Sequence, residues 1–179
     1  MLVNLPNPRL FGARKIVQLR NISAPIRQHA TWDAENQVFT SWDESVLGAE
    51  PTIEELESSY VSTVKSVYSA KLAEKRYEVE IGGVLINGVP VKTDRNSQML
   101  LNGAVSFVGK RPTSTIKWKA GNGAFVELNA AQIDAIGVAV AEHVQNCFSR
   151  EAELSALIDS AATVADLSAI DSQITNFSY

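Results

Sequence analysis

The sequence predicts an α+β fold, with small β-hairpins packed with a long C-terminal helix and a short closing helix, preceded by an extended N-terminal arm. Three observations lead to this prediction. Apolar residues recur at helical spacing in two long segments. An Asn-Gly dipeptide between apolar runs is typical of a tight hairpin. Residues 1–50, interrupted by prolines, show no sustained period. We therefore predict an extended docking arm at 1–50 and an α+β domain at 51–179.

Composition limits the class of protein. The chain has 179 residues, of which 45% are hydrophobic and 20% charged, as in ordinary globular proteins. Its single cysteine, Cys147, excludes a disulfide within the chain and a zinc site made of cysteines alone. No apolar run approaches the roughly 18 residues that span a bilayer, and polar residues interrupt the N-terminus where a signal peptide would be apolar. We expect a soluble, non-secreted protein that does not bind membranes.

Charge is distributed in blocks. Residues 1–30 carry five Lys or Arg and no acid, whereas residues 31–58 carry eight acids and no Lys or Arg. From residue 120 onward there are eight acids and one base, Arg150. Such blocks usually mark interaction arms or solvated faces. The basic segment contains one aromatic residue, Phe11, which is too little to predict nucleic-acid binding.

The arm contains two short strand-like pieces, "RKIVQL" and "QVFTSW". It is too apolar for a solvated tail and too broken by proline to build its own core. We therefore predict that it lies extended on another subunit, where it could add a strand to a sheet edge. The predicted partner-binding residues are Leu10, Phe11, Arg14, Ile16 and Arg20.

The first helix is predicted to begin after Pro51. Thr52 and Glu55 form a capping box, in which each side chain bonds the backbone N–H of the other residue. An apolar stripe then continues to about residue 75. The segment "YEVEI" that follows alternates apolar and acidic residues, which predicts a half-buried strand.

Asn87-Gly88 predicts a type I′ hairpin turn, because both central positions need a positive φ. Asp94 then stands where a helix N-cap is expected, ahead of an apolar segment that ends at Gly109. The polar run at residues 93–97 is therefore predicted to cap a helix and not to catalyse a reaction.

A second hairpin is predicted from "IKW" and "FVEL". Asn129, with Gln132 three residues later, is predicted to cap a long helix over about 130–160. Thr163, with Asp166, is predicted to cap a short last helix that folds back on the long one.

His143 and Cys147 are the residues most suggestive of chemistry, because a spacing of four places them on one helix face. They could be metal ligands or a nucleophile pair. However, Cys147 lies within an apolar stripe, where a free cysteine behaves as a small hydrophobe. Phosphate-loop, dinucleotide-binding and nucleophile-elbow motifs are absent from the sequence. We predict no catalytic residue, no cofactor and no metal.

Three segments carry a resemblance to a known family: "YEVEIGGVLINGVPVKTDRNSQMLLNGA", "IKWKAGNGAFVELNAAQIDAIGVAVAEHVQNCF" and "REAELSALIDSAATVADLSAI". Together they resemble an uncharacterised domain at the C-terminal end of many bacteriophage tail proteins and tail-fibre assembly proteins. The resemblance covers about residues 65–174 and includes Asp94, Ser97, Leu101 and the Trp118 strand. The family has no established catalytic residues to carry over.

The resemblance implies a non-enzymatic structural component of a bacteriophage tail, present in several copies at the baseplate or tail fibre. It would be assembled in the bacterial host cytoplasm and dock to a fibre or baseplate subunit through its arm. The alternative is a tail-fibre assembly chaperone, although residues 1–50 do not look like the N-terminal part of such chaperones. A third reading, from another class, is a small metal- or thiol-dependent enzyme that uses His143 and Cys147.

Overall fold

The computed structural model describes residues 7–179 and has the predicted α+β class. The helices and strands follow one another as α1 (Pro8–Leu19), α2 (Ile26–His29), β1 (Ala30–Asp33), β2 (Val38–Trp42), α3 (Glu44–Leu47), α4 (Ile53–Ile81), β3 (Val84–Ile86), β4 (Val89–Val91), α5 (Arg95–Lys110), β5 (Thr115–Lys119), β6 (Phe125–Asn129), α6 (Ala130–Ser160) and α7 (Val164–Thr175). The strands pair as three antiparallel two-stranded sheets, β1 with β2, β3 with β4, and β5 with β6. No helix among residues 7–179 has the length and hydropathy of a membrane-spanning segment.

The chain divides into two compact units. The first contains the described residues up to Ser69 together with Ile158–Asp171, and the second contains Ala70–Leu157 and Ser172–Tyr179. This division does not follow the boundary predicted at residue 50, because residues on both sides of that position share one core. Ala13, Val17, Ile26 and Leu47, from the predicted arm, are buried together with Leu56 of α4.

The prediction of an extended arm is wrong over Pro8–Leu19, which forms helix α1. Proline at the first helical position needs no N–H partner, so Pro8 favours the start of a helix there. Ala13 and Val17, one turn apart, then face the core, and "RKIVQL" is helical instead of extended. A Cβ on Gly12 would lie 2.1 Å from the backbone oxygen of Leu56, so glycine allows α1 to approach α4 closely. The other strand-like piece, "QVFTSW", is confirmed as β2.

Helix α4 begins as predicted and ends later than predicted. Thr52 N–H donates to Glu55 Oε2 at 2.8 Å, and Glu55 N–H donates to Thr52 Oγ1 at 3.1 Å. The strand predicted at "YEVEI" is wrong, because those residues form the last turns of the helix. Lys75 pairs with Glu78 at 2.6 Å, and Arg76 pairs with Glu80 one turn later, so ion pairs at helical spacing support the continuation.

The predicted hairpin turn and helix caps of the second unit are confirmed. Asn87 and Gly88 have φ values of 52° and 78° between β3 and β4. Asn129 and Gln132 bond each other's backbone N–H at the start of α6, with distances of 2.9 and 3.0 Å. Helix α5 runs one residue beyond the predicted end at Gly109. The core of this unit contains Val91, Leu101 and Val140, against which residues of both hairpins pack.

The cap predicted at Thr163 is confirmed in the same way. Asp166 N–H donates to Thr163 Oγ1 at 3.2 Å, and Thr163 N–H donates to Asp166 Oδ2 at 2.8 Å. These bonds fix the start of α7 within the first unit, where Leu167 is completely buried.

Candidate functional site

An open groove in the first unit is formed by α1, the segment after it, and the β1–β2 hairpin. Its volume is about 1020 Å³. Its lining combines apolar and polar residues in nearly equal surface, and two of the polar residues are arginines. We call it the N-terminal groove, and its principal lining residues are Leu10, Arg14, Val17, Ile22, Ile26, Arg27, Trp32 and Phe39.

The two arginines of the groove, Arg14 and Arg27, lack the partners that the other arginines of residues 7–30 have. Arg9 pairs with Glu57 at 2.8 Å, and Arg20 donates to the backbone oxygens of Leu47 and Ala49 at 2.9 and 2.7 Å. Arg14 and Arg27 are exposed and have no ion-pair or hydrogen-bond partner within residues 7–179. The groove therefore offers two guanidinium groups that are free to pair with carboxylates.

Aromatic side chains of the hairpin form one wall of the groove. Trp32 and Phe39 pack edge to face with ring centroids 4.9 Å apart, and Phe39 packs in the same way on Trp42. The indole N–H of Trp42 donates to the backbone oxygen of Gly48 at 2.8 Å. The indole nitrogen of Trp32 is buried and has no hydrogen-bond partner in the described part of the chain. A buried donor without an acceptor is costly, and the aromatic packing of this wall must offset that cost.

The structure brings together only some of the residues predicted to bind a partner. Leu10 and Arg14 line the groove. Phe11 packs edge to face on Tyr60 at 5.8 Å, Ile16 packs against the core of the first unit, and Arg20 bonds backbone oxygens. Phe11, Ile16 and Arg20 therefore make contacts within the chain, and only Leu10 and Arg14 are placed to meet a ligand in the groove.

The other side of the groove, including Ile22, Arg27 and Trp32, was not predicted from the sequence. Two local signals mark the reversal of the chain that brings them opposite α1. Asn21 has a positive φ of 58°, and Pro25 precedes α2. Asparagine and proline are both typical turn residues, so they could have indicated this reversal.

A second cluster of polar residues is buried inside the second unit. Its centre is Glu80, whose carboxylate pairs with Arg76 and lies 3.0 Å from a guanidinium nitrogen of Arg95. Arg76 also contacts Glu151, with its Nε 3.2 Å from Oε2. The buried carboxylate is therefore compensated by two cations, as a buried charge requires. We call this group and its hydrogen-bonded neighbours the Glu80 cluster.

The backbone oxygen of Glu80 organises the rest of this cluster. It accepts hydrogen bonds from Thr93 Oγ1 at 2.6 Å and from His143 Nε2 at 3.0 Å. Because a carbonyl only accepts, Nε2 of His143 carries the proton and Nδ1 accepts from the hydroxyl of Tyr179. Both ring nitrogens are thus engaged, and neither is available to take a proton from Cys147.

Cys147 is completely buried. Burial raises the pKa of its thiol, and the negative charge of Glu80 adds to this effect, with Arg76 acting in the opposite direction. Burial likewise raises the pKa of the Tyr179 hydroxyl. Within residues 7–179, no group of three or more His, Cys, Asp or Glu is arranged to hold a metal ion. The Glu80 cluster thus pairs its buried carboxylate with cations, although Glu80 Oε1 meets Arg95 as an ion pair without a hydrogen bond. The Cys147 thiol stays protonated at neutral pH.

A family described as a domain of unknown function, DUF4376, matches residues 63–173. The chain belongs to this family. No curated protein and no solved structure matches it. The DUF4376 match covers the second unit up to Leu157, including Glu80, His143 and Cys147, whereas the N-terminal groove lies before it in the sequence. The groove is therefore built by residues that precede the DUF4376 region.

Proposed function

We propose that the chain is a non-enzymatic structural component of a bacteriophage tail, located in the virion at the baseplate or tail fibre. Its DUF4376 region resembles the domain found in phage tail and fibre-assembly proteins, as described for the three quoted segments. The docking element in this proposal is the N-terminal groove, because α1 packs on its own chain and is not an extended arm. The resemblance carries the assignment to a phage tail, and the groove with its two unpaired arginines supports the choice of docking element.

The chemistry of the groove specifies the kind of segment that would bind there. Its walls include apolar and aromatic side chains such as Leu10, Trp32 and Phe39, so the segment should present apolar side chains to them. Arg14 and Arg27 line the same groove without partners among residues 7–179, so the segment should also carry carboxylates. We therefore infer that the groove binds an acidic, apolar segment of a tail-fibre or baseplate subunit.

Charge reversal in the groove tests this proposal. Particles would be assembled with a chain carrying Arg14→Glu and Arg27→Glu, and the chain would be quantified in purified tails by mass spectrometry. We expect about a tenfold or greater loss, because two glutamates would face the carboxylates of the bound segment. Lys15→Glu is the matched control, because Lys15 follows Arg14 on α1 and does not line this groove.

The same preparation separates the structural role from the chaperone role. Wild-type chain retained in purified tails supports a structural component. Wild-type chain that co-purifies with the fibre subunit from infected cells, yet is absent from tails, would instead identify an assembly chaperone. If the double variant were incorporated as well as the wild type, the groove would not be the docking site.

A further inference from the structure

The N-terminal groove meets the β1–β2 hairpin at the edge of strand β1. Three consecutive residues of this strand, Ala30, Thr31 and Trp32, line the groove, and Phe39 is the lining residue from the described part of β2. Side chains of successive strand residues point to opposite faces of a sheet, so a cavity over one face contacts alternate residues. A cavity lined by consecutive residues therefore lies beside the outer edge of the strand.

The outer edge of β1 has no strand paired with it among residues 7–179, because the sheet consists of β1 and β2. Thr31 directs its backbone toward β2, where its N–H donates to Ser41 Oγ at 3.1 Å and its carbonyl oxygen accepts from Thr40 Oγ1 at 3.4 Å. Backbone groups of successive strand residues point to opposite edges, so the N–H and carbonyl oxygen of Trp32 point away from β2. Within residues 7–179, Trp32 makes no backbone hydrogen bond to a segment outside the hairpin.

The two strands of this hairpin differ in regularity. The pairing register shifts between Thr31 and Trp32, where Thr40 of β2 is left without an opposite residue. The extra residue of this β-bulge thus belongs to β2, and β1 has none. A bulge bends its own strand and makes that edge a poor template for pairing. Strand β1 is therefore the edge of the hairpin that is suited to accept another strand.

Helix α1 forms the opposite wall of the groove. Leu10, Arg14 and Val17 lie on one face of this helix and line the groove together. Arg27, three residues before β1, brings a second guanidinium group to the same space. An extended chain between α1 and β1 would pair its main chain with β1 while its side chains reach the two arginines.

We propose that the groove binds its acidic, apolar segment in extended form, as a third strand paired with the outer edge of β1. The N–H and carbonyl oxygen of Trp32 exchange hydrogen bonds with one residue of the bound segment. These main-chain bonds provide affinity, and Arg14 and Arg27 select a segment that carries carboxylates. The inference rests on the function proposed for the groove and adds that the partner binds as a strand. The chain thus accepts a strand, whereas residues 1–50 were predicted to donate one.

Synthetic peptides and the purified full chain provide the direct test. The probe is a short labelled peptide with blocked ends in which valine and glutamate alternate, and binding is measured by fluorescence anisotropy. We expect saturable binding. The same peptide with lysine in place of glutamate is the control, and it should bind at least about tenfold more weakly because its charges repel the two arginines. A valine–glutamate peptide that does not bind at its highest soluble concentration would overturn the proposal.

Methylation of the peptide backbone distinguishes a strand from other bound forms. One peptide carries N-methyl groups on every valine, and a second carries them on every glutamate. Because an extended chain directs alternate N–H groups to opposite edges, one of these sets faces β1 and the other faces away. We expect one peptide to lose about tenfold or more in affinity and the other to bind like the parent. Equal affinities of the two methylated peptides would overturn strand pairing.

Two variants of the chain test the same contact from the other side. Trp32→Ala and Trp32→Pro both remove the indole, but proline alone removes the backbone N–H, which an edge strand tolerates where that group points outward. With circular dichroism to verify folding, the proline variant should bind the peptide at least about tenfold more weakly than the alanine variant. Equal affinities of the two folded variants would contradict the proposed hydrogen bond.

Amide exchange of the wild-type chain, followed by NMR, provides a measurement that does not depend on the folding of a variant. The Trp32 amide should exchange at least about tenfold more slowly when the valine–glutamate peptide is bound. The Thr31 amide is the internal control, because it already donates to Ser41, and its exchange should change much less. Unchanged exchange at Trp32 in the saturated complex would overturn the proposal.

Failure of strand pairing and failure of the proposed function give different results. Loss of the Arg14→Glu and Arg27→Glu double variant from tails, together with equal binding of the two methylated peptides, would keep the groove as the docking site and remove the strand. Register-dependent peptide binding by a chain that is found neither in tails nor with the fibre subunit would keep the strand site and remove the assignment to a phage tail.

Discussion

Asp94 shows how one carboxylate organises the start of a helix. Its Oδ1 accepts the backbone N–H of Ser97 at 3.1 Å, and its Oδ2 accepts the Ser97 hydroxyl at 2.6 Å. These hydrogen bonds, the hydroxyl first, lower the pKa of Asp94. The predicted cap is therefore confirmed by the Asp94–Ser97 hydrogen bonds at the start of α5, while the Thr93 hydroxyl bonds the backbone oxygen of Glu80 at the end of α4.

Replacement of Asp94 should cost stability in proportion to the capping that is lost. Asp94→Ala should lower Tm by roughly 2–4 °C, whereas Asp94→Asn should lower it much less, because an amide oxygen also accepts N–H bonds. Thermal melts at neutral pH would measure both. A fully stable Asp94→Ala variant would contradict the capping role.

The stability that the Asp94 cap contributes should depend on pH in a definite direction. The folded pKa of Asp94 is below its unfolded value, so the stability contributed by the charge is present above the unfolded pKa of about 3.9. It is lost as the pH falls through the lower folded pKa. The difference in Tm between the wild type and Asp94→Asn should therefore disappear at low pH. A difference that grew on acidification would contradict this assignment.

The helices and hairpins show which features of the fold were predictable. The four predicted caps and the Asn87-Gly88 turn depend on residues at most three positions apart, so local sequence determines them. Helix α1 and the end of α4 were mispredicted because short apolar runs suit a strand as well as a helix, and tertiary contacts decide between them. The groove was predicted only in part, because Leu10 and Arg14 meet residues up to Phe39 that become neighbours only in the folded chain.

Glu80 links the end of α4 to α5 and α6 within the second unit, and its replacement should be far more damaging than that of a neighbouring acid. Glu80→Ala should lower the free energy of unfolding by about 3–5 kcal/mol, because it leaves the partly buried Arg76 with only Glu151 as an ion-pair partner. Glu78→Ala removes an exposed pair with Lys75 and should cost less than about 1 kcal/mol.

Urea unfolding at neutral pH would measure this difference. Glu80→Gln retains the shape of the side chain and removes its charge, so it should lie between the two alanine variants. If Glu80→Ala and Glu78→Ala were equally stable, the buried carboxylate would not support the junction of these helices.

The chain as a whole consists of a region that matches DUF4376 and a preceding segment that completes a separate core. Leu56 of α4 is buried together with Ala13 and Val17 of α1, although α4 begins after the boundary that the sequence predicted at residue 50. Lys65 of the same helix instead donates to the backbone oxygen of Asp159 at 2.6 Å, within the first unit. The first turns of α4, around Leu56, therefore depend on residues 7–50. The turn that contains Lys65 instead contacts the end of α6.

A fragment containing residues 51–179 should separate these contributions. We expect it to fold, because it retains the whole DUF4376 match and the core around Val91, Leu101 and Val140. The backbone amides of residues 53–62 should nevertheless exchange at least about tenfold faster with solvent than in the full chain, because Leu56 loses the cover of α1. Amides of α5 and of α6 up to Leu157, in the second unit, provide the internal control and should keep their protection.

Hydrogen exchange followed by mass spectrometry resolves the two regions in one experiment. Unchanged protection at 53–62 would mean that α4 does not need the preceding segment, and loss of protection throughout would mean that the DUF4376 region cannot fold without it.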